Sequence, residues 1–382
     1  MEVIANEHLE SEKVYLDHAA ATPVDPQVVS VMCHWLTDGY GNPSSSHSLG
    51  RLSRNAIQRA RHQVAELIGA LDSEIIFTSS GTESDNMALC GVLAAAPKSR
   101  KRLITSAIEH SAILSNINRL ESAGYKVTLL PVDNLGRVAC KDLEQALDND
   151  VSLVSIMYAN NEVGTIQNIK RHVDIVKPYK ALFHTDAVQA VGLLPIDVNE
   201  LGVDLLSLSA HKIYGPKGMG ALYIREGVLI KPLLVGGGQE FNLRAGTENV
   251  PAIVGLGEAA ELARQRLKYV DRLKKLRDYL QQELNRIPGI IFYGDPDNKL
   301  PNHCCFSISG YKGANLVAAL DLIGFYCSSG SACHGLKPSH VLQAMGVAQD
   351  HYNQAIRVTL GWSNTIEQIQ RFSAVIQDLI AD

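Results

Sequence analysis

Between about positions 54 and 225 the apolar residues gather in short runs, and stretches with helical spacing separate many of them. The runs are EIIFTSS (74–80), RLITSAI (102–108), KVTLLPV (126–132), SLVSIMYA (152–159), ALFHTDAV (181–188), LLSLSAHKI (205–213) and GALYIR (220–225). Several are almost wholly apolar, as expected of strands covered on both faces rather than on one. Intervening stretches such as ESDNMALCGVLAAA and IKRHVDIVKPY have helical composition. Strands alternating with helices predict an α/β domain with a mostly parallel seven-stranded sheet between helical layers.

The pattern changes near residue 250. Apolar positions 256, 260, 263, 267, 270, 273, 276, 280, 284 and 287 advance by three and four, which marks one face of a long helix. Pro251 suits its first turn, and Pro288-Gly289 stops it. Beyond it come GIIFYGD, HCCFSIS, a helix over about 313–323, a cysteine-bearing loop and AIRVTLGW. The expected division is a large α/β domain over 15–255, a connecting helix over 256–287, and a small α+β domain over 288–382 that includes segment 1–14.

Composition narrows the function. With 46% hydrophobic and 20% charged residues and a net charge of −5, the chain has no basic excess that would favour nucleic acid. No apolar run approaches the roughly 18 residues of a membrane span, and the acidic start MEVIANEHLESEK lacks an export signal. Seven cysteines, an odd number without a CxxC, suggest a reducing, cytoplasmic setting. His303-Cys304-Cys305 lies in an alternating strand, so packing is expected there rather than metal binding.

Ligands of open parallel sheets bind beyond the carboxyl ends of the strands, so polar residues closing an apolar run are the candidates. Ser79-Ser80-Gly81-Thr82 precede a helix, where small residues either cap it or seat an anion on its N–H groups. No GxxxxGK[ST] or GxGxxG is present to suggest a nucleotide phosphate. Asp186 ends one run and Lys212 another. A carboxylate there needs a positive partner, and a desolvated lysine becomes an amine nucleophile for carbonyl groups. Phosphate seat, aspartate and lysine together match the needs of pyridoxal phosphate.

Cys333 stands apart, in CSSGSACHGLKPSH (327–340). Glycine, serine and alanine around it offer little to pack a thiol, so this cysteine is presented rather than buried; Cys327 is expected to be packed.

Ordered blocks along nearly the whole chain carry a family resemblance. They include YLDHAAATPVDP (15–26), GNPSSSH (41–47), IIFTSSGTESDN (75–86), EHSAIL (109–114), NNEVGTIQ (160–167) and HTDAVQAVG (184–192). Further along stand SAHKIYGPKGMGALY (209–223), GGGQE (236–240), RAGTEN (244–249), SSGSAC (328–333) and IRVTLG (356–361). The chain resembles the cysteine desulfurases of the NifS/IscS kind, in the class V aminotransferase group of fold-type-I pyridoxal phosphate enzymes.

The resemblance implies roles. Lys212 would bind the cofactor covalently, Asp186 would pair with its pyridine nitrogen, and His110 would stack on the ring and move protons. Gln189 and Asn161 would lie near the phenolic oxygen, Asn161 also near substrate. Gly81, Thr82, Ser209 and His211 would contact the phosphate, and Thr247 the phosphate of a partner subunit, implying a homodimer. Arg357 would clamp the carboxylate of L-cysteine. Cys333 would take the substrate's sulfur as a persulfide, leaving alanine, and pass it to an acceptor such as an iron–sulfur scaffold or a sulfur carrier. No intrinsic metal is implied, although Cys333 could meet an iron–sulfur cluster during transfer. Selenocysteine lyase, other C–S lyase or aminotransferase chemistry on the same fold, and a non-catalytic sulfur-transfer scaffold, are the alternatives. Departures from the family pattern are SSGT with its glycine moved by one, RAGT without a hydroxyl at Ala245, and a short stretch from Cys333 to Pro338.

Overall fold

The computed structural model describes residues 13–330 and 338–381. Twelve strands occur among them: β1 (Val14–Tyr15), β2 (Ile75–Thr78), β3 (Arg102–Ser106), β4 (Lys126–Leu130), β5 (Val151–Ser155), β6 (Leu182–Asp186), β7 (Leu205–Ser209), β8 (Gly220–Ile224), β9 (Ile290–Tyr293), β10 (His303–Ile308), β11 (Phe325–Tyr326) and β12 (Ala355–Thr359).

Strands β2 to β8 form one sheet in the order β2-β8-β7-β6-β5-β3-β4. Only β8 runs against its neighbours; the pairs β7–β6, β6–β5, β5–β3 and β3–β4 are parallel. All seven apolar runs thus become strands of a mostly parallel sheet. Side chains alternate between its faces. Ile75, Phe77, Ile104, Leu206 and Leu208 join the core beneath helices Ser48–Ile68 and Val250–Arg266. Ile76, Leu103, Leu205 and Leu222 pack against Met87, Leu89 and Val92 of helix Gly81–Ala95 on the other face. Burial on both faces explains why β5, β7 and β8 lack a polar side.

The remaining strands build a second body. β12, β10 and β9 form an antiparallel sheet with Cys304 opposite Val358 and Phe306 opposite Ile356. Helices Val270–Leu284 and Ile366–Ala381 cover it with Leu276, Leu280, Phe372 and Ile376. β1 pairs in parallel with β11, so Val14 and Leu16 enter this same core. Cys304 and Cys305 are buried in β10, and burial pushes the Cys304 thiol up to about 12. Cys327 sits at the margin of the core, its thiol also raised to about 12 by burial.

The single long helix expected after residue 250 is two helices, Val250–Arg266 and Val270–Leu284, joined by a 3-10 turn at Leu267–Tyr269. The first gives Ile253, Leu256 and Ala260 to the large core, the second Leu276, Leu280 and Leu284 to the small one. An apolar stripe that passes unbroken from one core to another hides the turn between them.

Candidate active site

Five strands of the large sheet deliver their carboxyl ends to one cavity of about 190 Å³, and β12 of the small sheet contributes its wall. After β2 the chain turns at Ser80, whose Oγ accepts the N–H of Glu83 and so caps helix Gly81–Ala95. Gly81 and Thr82, in its first turn, line the cavity. A Cβ on Gly81 would stand 2.7 Å from Val188 Cγ2, so a larger residue would displace that side chain from the wall.

His110 follows β3 and caps a short helix, its Nδ1 accepting the N–H of Ala112 at 3.1 Å. Beyond β5, Asn160 binds the N–H groups of Glu162 and Val163 through Oδ1 and donates to the Ile108 carbonyl. That turn brings Asn161 to the cavity. β6 ends in Asp186, whose Oδ1 accepts the Val188 N–H at 2.9 Å. Burial pushes its carboxyl above the ordinary range, while His110 and Lys212 pull it back.

β7 ends in Ser209 and runs into a 3-10 turn, Ala210–Lys212. Ser209 Oγ and His211 Nδ1 lie 2.9 Å apart. Burial, then the neighbouring Lys212 and Lys217 charges, lower the His211 imidazole to about 4, so it is neutral near pH 7. Lys212 Nζ donates to the carbonyls of Ala19 and Ala20. Gln189 donates to the same Ala19 carbonyl at 3.0 Å. Arg357, only 1% exposed, crosses from β12, donating to Asp17 Oδ1 at 2.5 Å and to the Asn161 carbonyl at 2.9 Å.

Ten of the residues singled out in the sequence therefore share this cavity: Gly81, Thr82, His110, Asn161, Asp186, Gln189, Ser209, His211, Lys212 and Arg357. Thr247 does not; it lines a separate cavity with Ser79, Gly218 and Arg244. Cys333 lies outside the described residues. Sequence reasoning missed Asp17, which holds Arg357, and Ala19 and Ala20, which hold Lys212 through main-chain oxygens that no side chain announces. It also missed Asp85 in the cavity wall. Its spacing of four from Gly81 on one helix would have placed the two on the same face.

Pyridoxal phosphate fits these residues. A buried carboxyl at Asp186 answers a pyridinium, the half-buried Lys212 amine answers an aldehyde, and the N–H groups of a 15-residue helix beside a glycine answer a phosphate.

Comparison with known proteins agrees. The chain is 49% identical to the cysteine desulfurase IscS of Dictyoglomus turgidum over 372 residues, 96% of this chain and 94% of that one. It superposes on the solved structure of a NifS-like protein with a TM-score of 0.92 and 40% identity, covering 97% and 99% of the two chains. A structure of SspA in complex with cysteine matches with a TM-score of 0.80 and 35% identity over 91% of this chain and 98% of that one. The family model for class-V aminotransferases matches residues 14–372. From its sheet order, its strand-end lysine and aspartate and these relatives together, the chain belongs to the class-V aminotransferase family.

Proposed function

We propose that the chain is a pyridoxal-phosphate-dependent cysteine desulfurase that converts L-cysteine to L-alanine and holds the sulfur as a persulfide on Cys333. The convergence of Lys212, Asp186 and the buried Arg357 on one cavity carries this reading. When bound, the cofactor supplies an electron sink for the bond-breaking at the substrate's Cα.

The residues divide the remaining work. Lys212 is the amine that joins the cofactor aldehyde and, once displaced by substrate, the base for the Cα proton. Asp186 keeps a proton on the pyridine nitrogen. Gly81, Thr82, Ser209 and His211 seat the phosphate, and Gln189 and Asn161 meet the ring's oxygen side. His110 closes the wall and exchanges protons with substrate. The Arg357 fork, aligned by Asp17, orients the substrate carboxylate. The Cys333 thiolate attacks the substrate sulfur: an S–S bond forms, the C–S bond breaks, and its electron pair stays on carbon until a proton completes alanine.

Two copies of the chain form the working unit. Leu234, Val235 and Phe241 are exposed apolar residues in the segment that leads to Thr247, and such a patch favours burial against a second copy. Thr247 would then serve the partner's site. The sulfur acceptor is an iron–sulfur scaffold or a sulfur-carrier protein in the cytoplasm. A reducing compartment suits the six described cysteines, all free thiols.

The test is alanine and sulfide release from L-cysteine with a thiol reductant, comparing wild type with Cys333→Ala. Loss of alanine with the yellow cofactor colour retained supports the persulfide route; equal activity in the variant overturns it.

A further inference from the structure

The cavity wall holds one buried acid, Asp85, to which the proposed reaction gives no role. Asp85, on the first turns of helix Gly81–Ala95, is 1% exposed and lines the cavity. One carboxyl oxygen, Oδ1, has no hydrogen-bond partner, and it stands 3.6 Å from His184 Nε2. Ser207 bonds the carboxyl and also lies 3.0 Å from the same His184 nitrogen. His184 Nδ1 is 2.9 Å from Ser155 Oγ, so both ring nitrogens have hydroxyl neighbours. The titratable groups facing Asp85 besides His184 are two further acids, Asp186 from β6 and Glu109 from beyond β3.

Two adjacent ionised carboxylates cannot both be sustained in such a place. Asp186 accepts the Val188 N–H, and His110 and Lys212 pull its carboxyl back down. Asp85 has a serine hydroxyl and an imidazole that burial lowers to about 3, hence neutral. If ionised, Asp85 would leave Oδ1 as an uncompensated buried charge; if protonated, it leaves only a carbonyl oxygen there.

We propose that Asp85 is a positioning residue held as a neutral carboxylic acid against Ser207 and His184, so that Asp186 alone carries the negative charge of the site. Helix and sheet are thereby tied at the carboxyl ends of β6 and β7, where Asp186 and Lys212 are presented. The assignment deepens the pyridoxal phosphate reading and rests on it only for the cofactor arm of the test.

The first arm uses the apo-protein and compares electrophoretic mobility at pH 7 of wild type, Asp85→Asn and the exposed control Asp38→Asn. Asp38→Asn removes one negative charge; Asp85→Asn is expected to leave mobility at the wild-type value and to delete an infrared carbonyl band of a protonated acid. A mobility change equal to that of the control overturns the proposal. In the second arm, Asp85→Ala weakens pyridoxal phosphate binding by about tenfold, and Asp85→Asn, a neutral donor of the same shape, recovers most of it. Equal losses in both variants overturn the positioning role. Failure of the wild type to bind the cofactor counts against the cofactor reading and leaves the mobility result standing.

Discussion

The guanidinium of Arg357 donates to the carboxylate of Asp17 at 2.5 Å, joining residues 340 positions apart with Arg357 almost wholly buried. Among the described residues, the pair fixes the one arginine that lines the cavity from the small sheet. Asp17→Asn keeps a neutral acceptor but loses the charge, and Arg357→Lys loses the planar fork. Each is expected to raise KM for L-cysteine by roughly 10- to 100-fold, the worth of a hydrogen bond to a charged group. Steady-state alanine formation checks this, and an unchanged KM in both would remove Arg357 from substrate recognition.

Lys212→Ala removes the amine and the base proposed for the reaction. Alanine formation is expected to fall below detection, and the visible cofactor band to shift from its wild-type position. The variant also loses the bonds from Lys212 to the Ala19 and Ala20 carbonyls, so it is expected to melt a few degrees below wild type while keeping its fold. Circular dichroism alongside the assay separates loss of chemistry from loss of fold.

Glu109 gives a pH prediction. It is fully buried, and burial, reinforced by Asp186, raises its carboxyl to about 8 despite bonds from Ser106 and the Met157 N–H. The folded state therefore holds the proton more tightly than the unfolded chain. Its stabilising contribution is complete below about pH 4.5 and is lost as pH rises through about 8. Glu109→Gln, which cannot ionise, should lose less melting temperature than wild type between pH 5 and pH 8.5. Parallel curves for the two proteins would show that Glu109 is already ionised when folded.

How much of this was legible in the residues depends on how each one acts. The seven strands were readable because burial on both faces leaves unbroken apolar runs. Their ends were not, since Met157 and Ala159 continue the run of β5 as buried residues after the strand has stopped at Ser155. Asp186 and Lys212 stood out as charged groups closing apolar strands. Asp17 lay in a recognised block yet gave no hint of its partner, because a contact across 340 positions has no local pattern. The roles of Ala19 and Ala20 are main-chain roles, so their side chains carry no trace of them.

Residues Glu240, Phe241 and Asn242 all have positive φ, at 43°, 56° and 66°, a strained conformation for three consecutive side chains. A buried fork holds them: Arg61 donates to both oxygens of Glu240 at 2.8 Å, and its guanidinium lies between the Phe77 and Phe241 rings. Glu240→Ala leaves Arg61 buried and unpaired and should cost about 3–5 kcal/mol in urea unfolding. The double variant Arg61→Met/Glu240→Leu should recover most of that loss. A loss under about 1 kcal/mol in the single variant would mean that water reaches the arginine.

The placement of β1 and the Asp17–Ala20 stretch has a consequence for how the protein is made. These residues leave the ribosome long before their partners Phe325 and Arg357, the latter 340 positions after Asp17. At typical synthesis rates the interval is roughly 17–70 s. Through that time the carbonyls of Ala19 and Ala20 can await Lys212, but Arg357 does not yet exist. A nascent chain can thus gather the large-sheet side of its cavity while still being translated, and the wall formed by Arg357 is added only once β12 has threaded back beside Asp17.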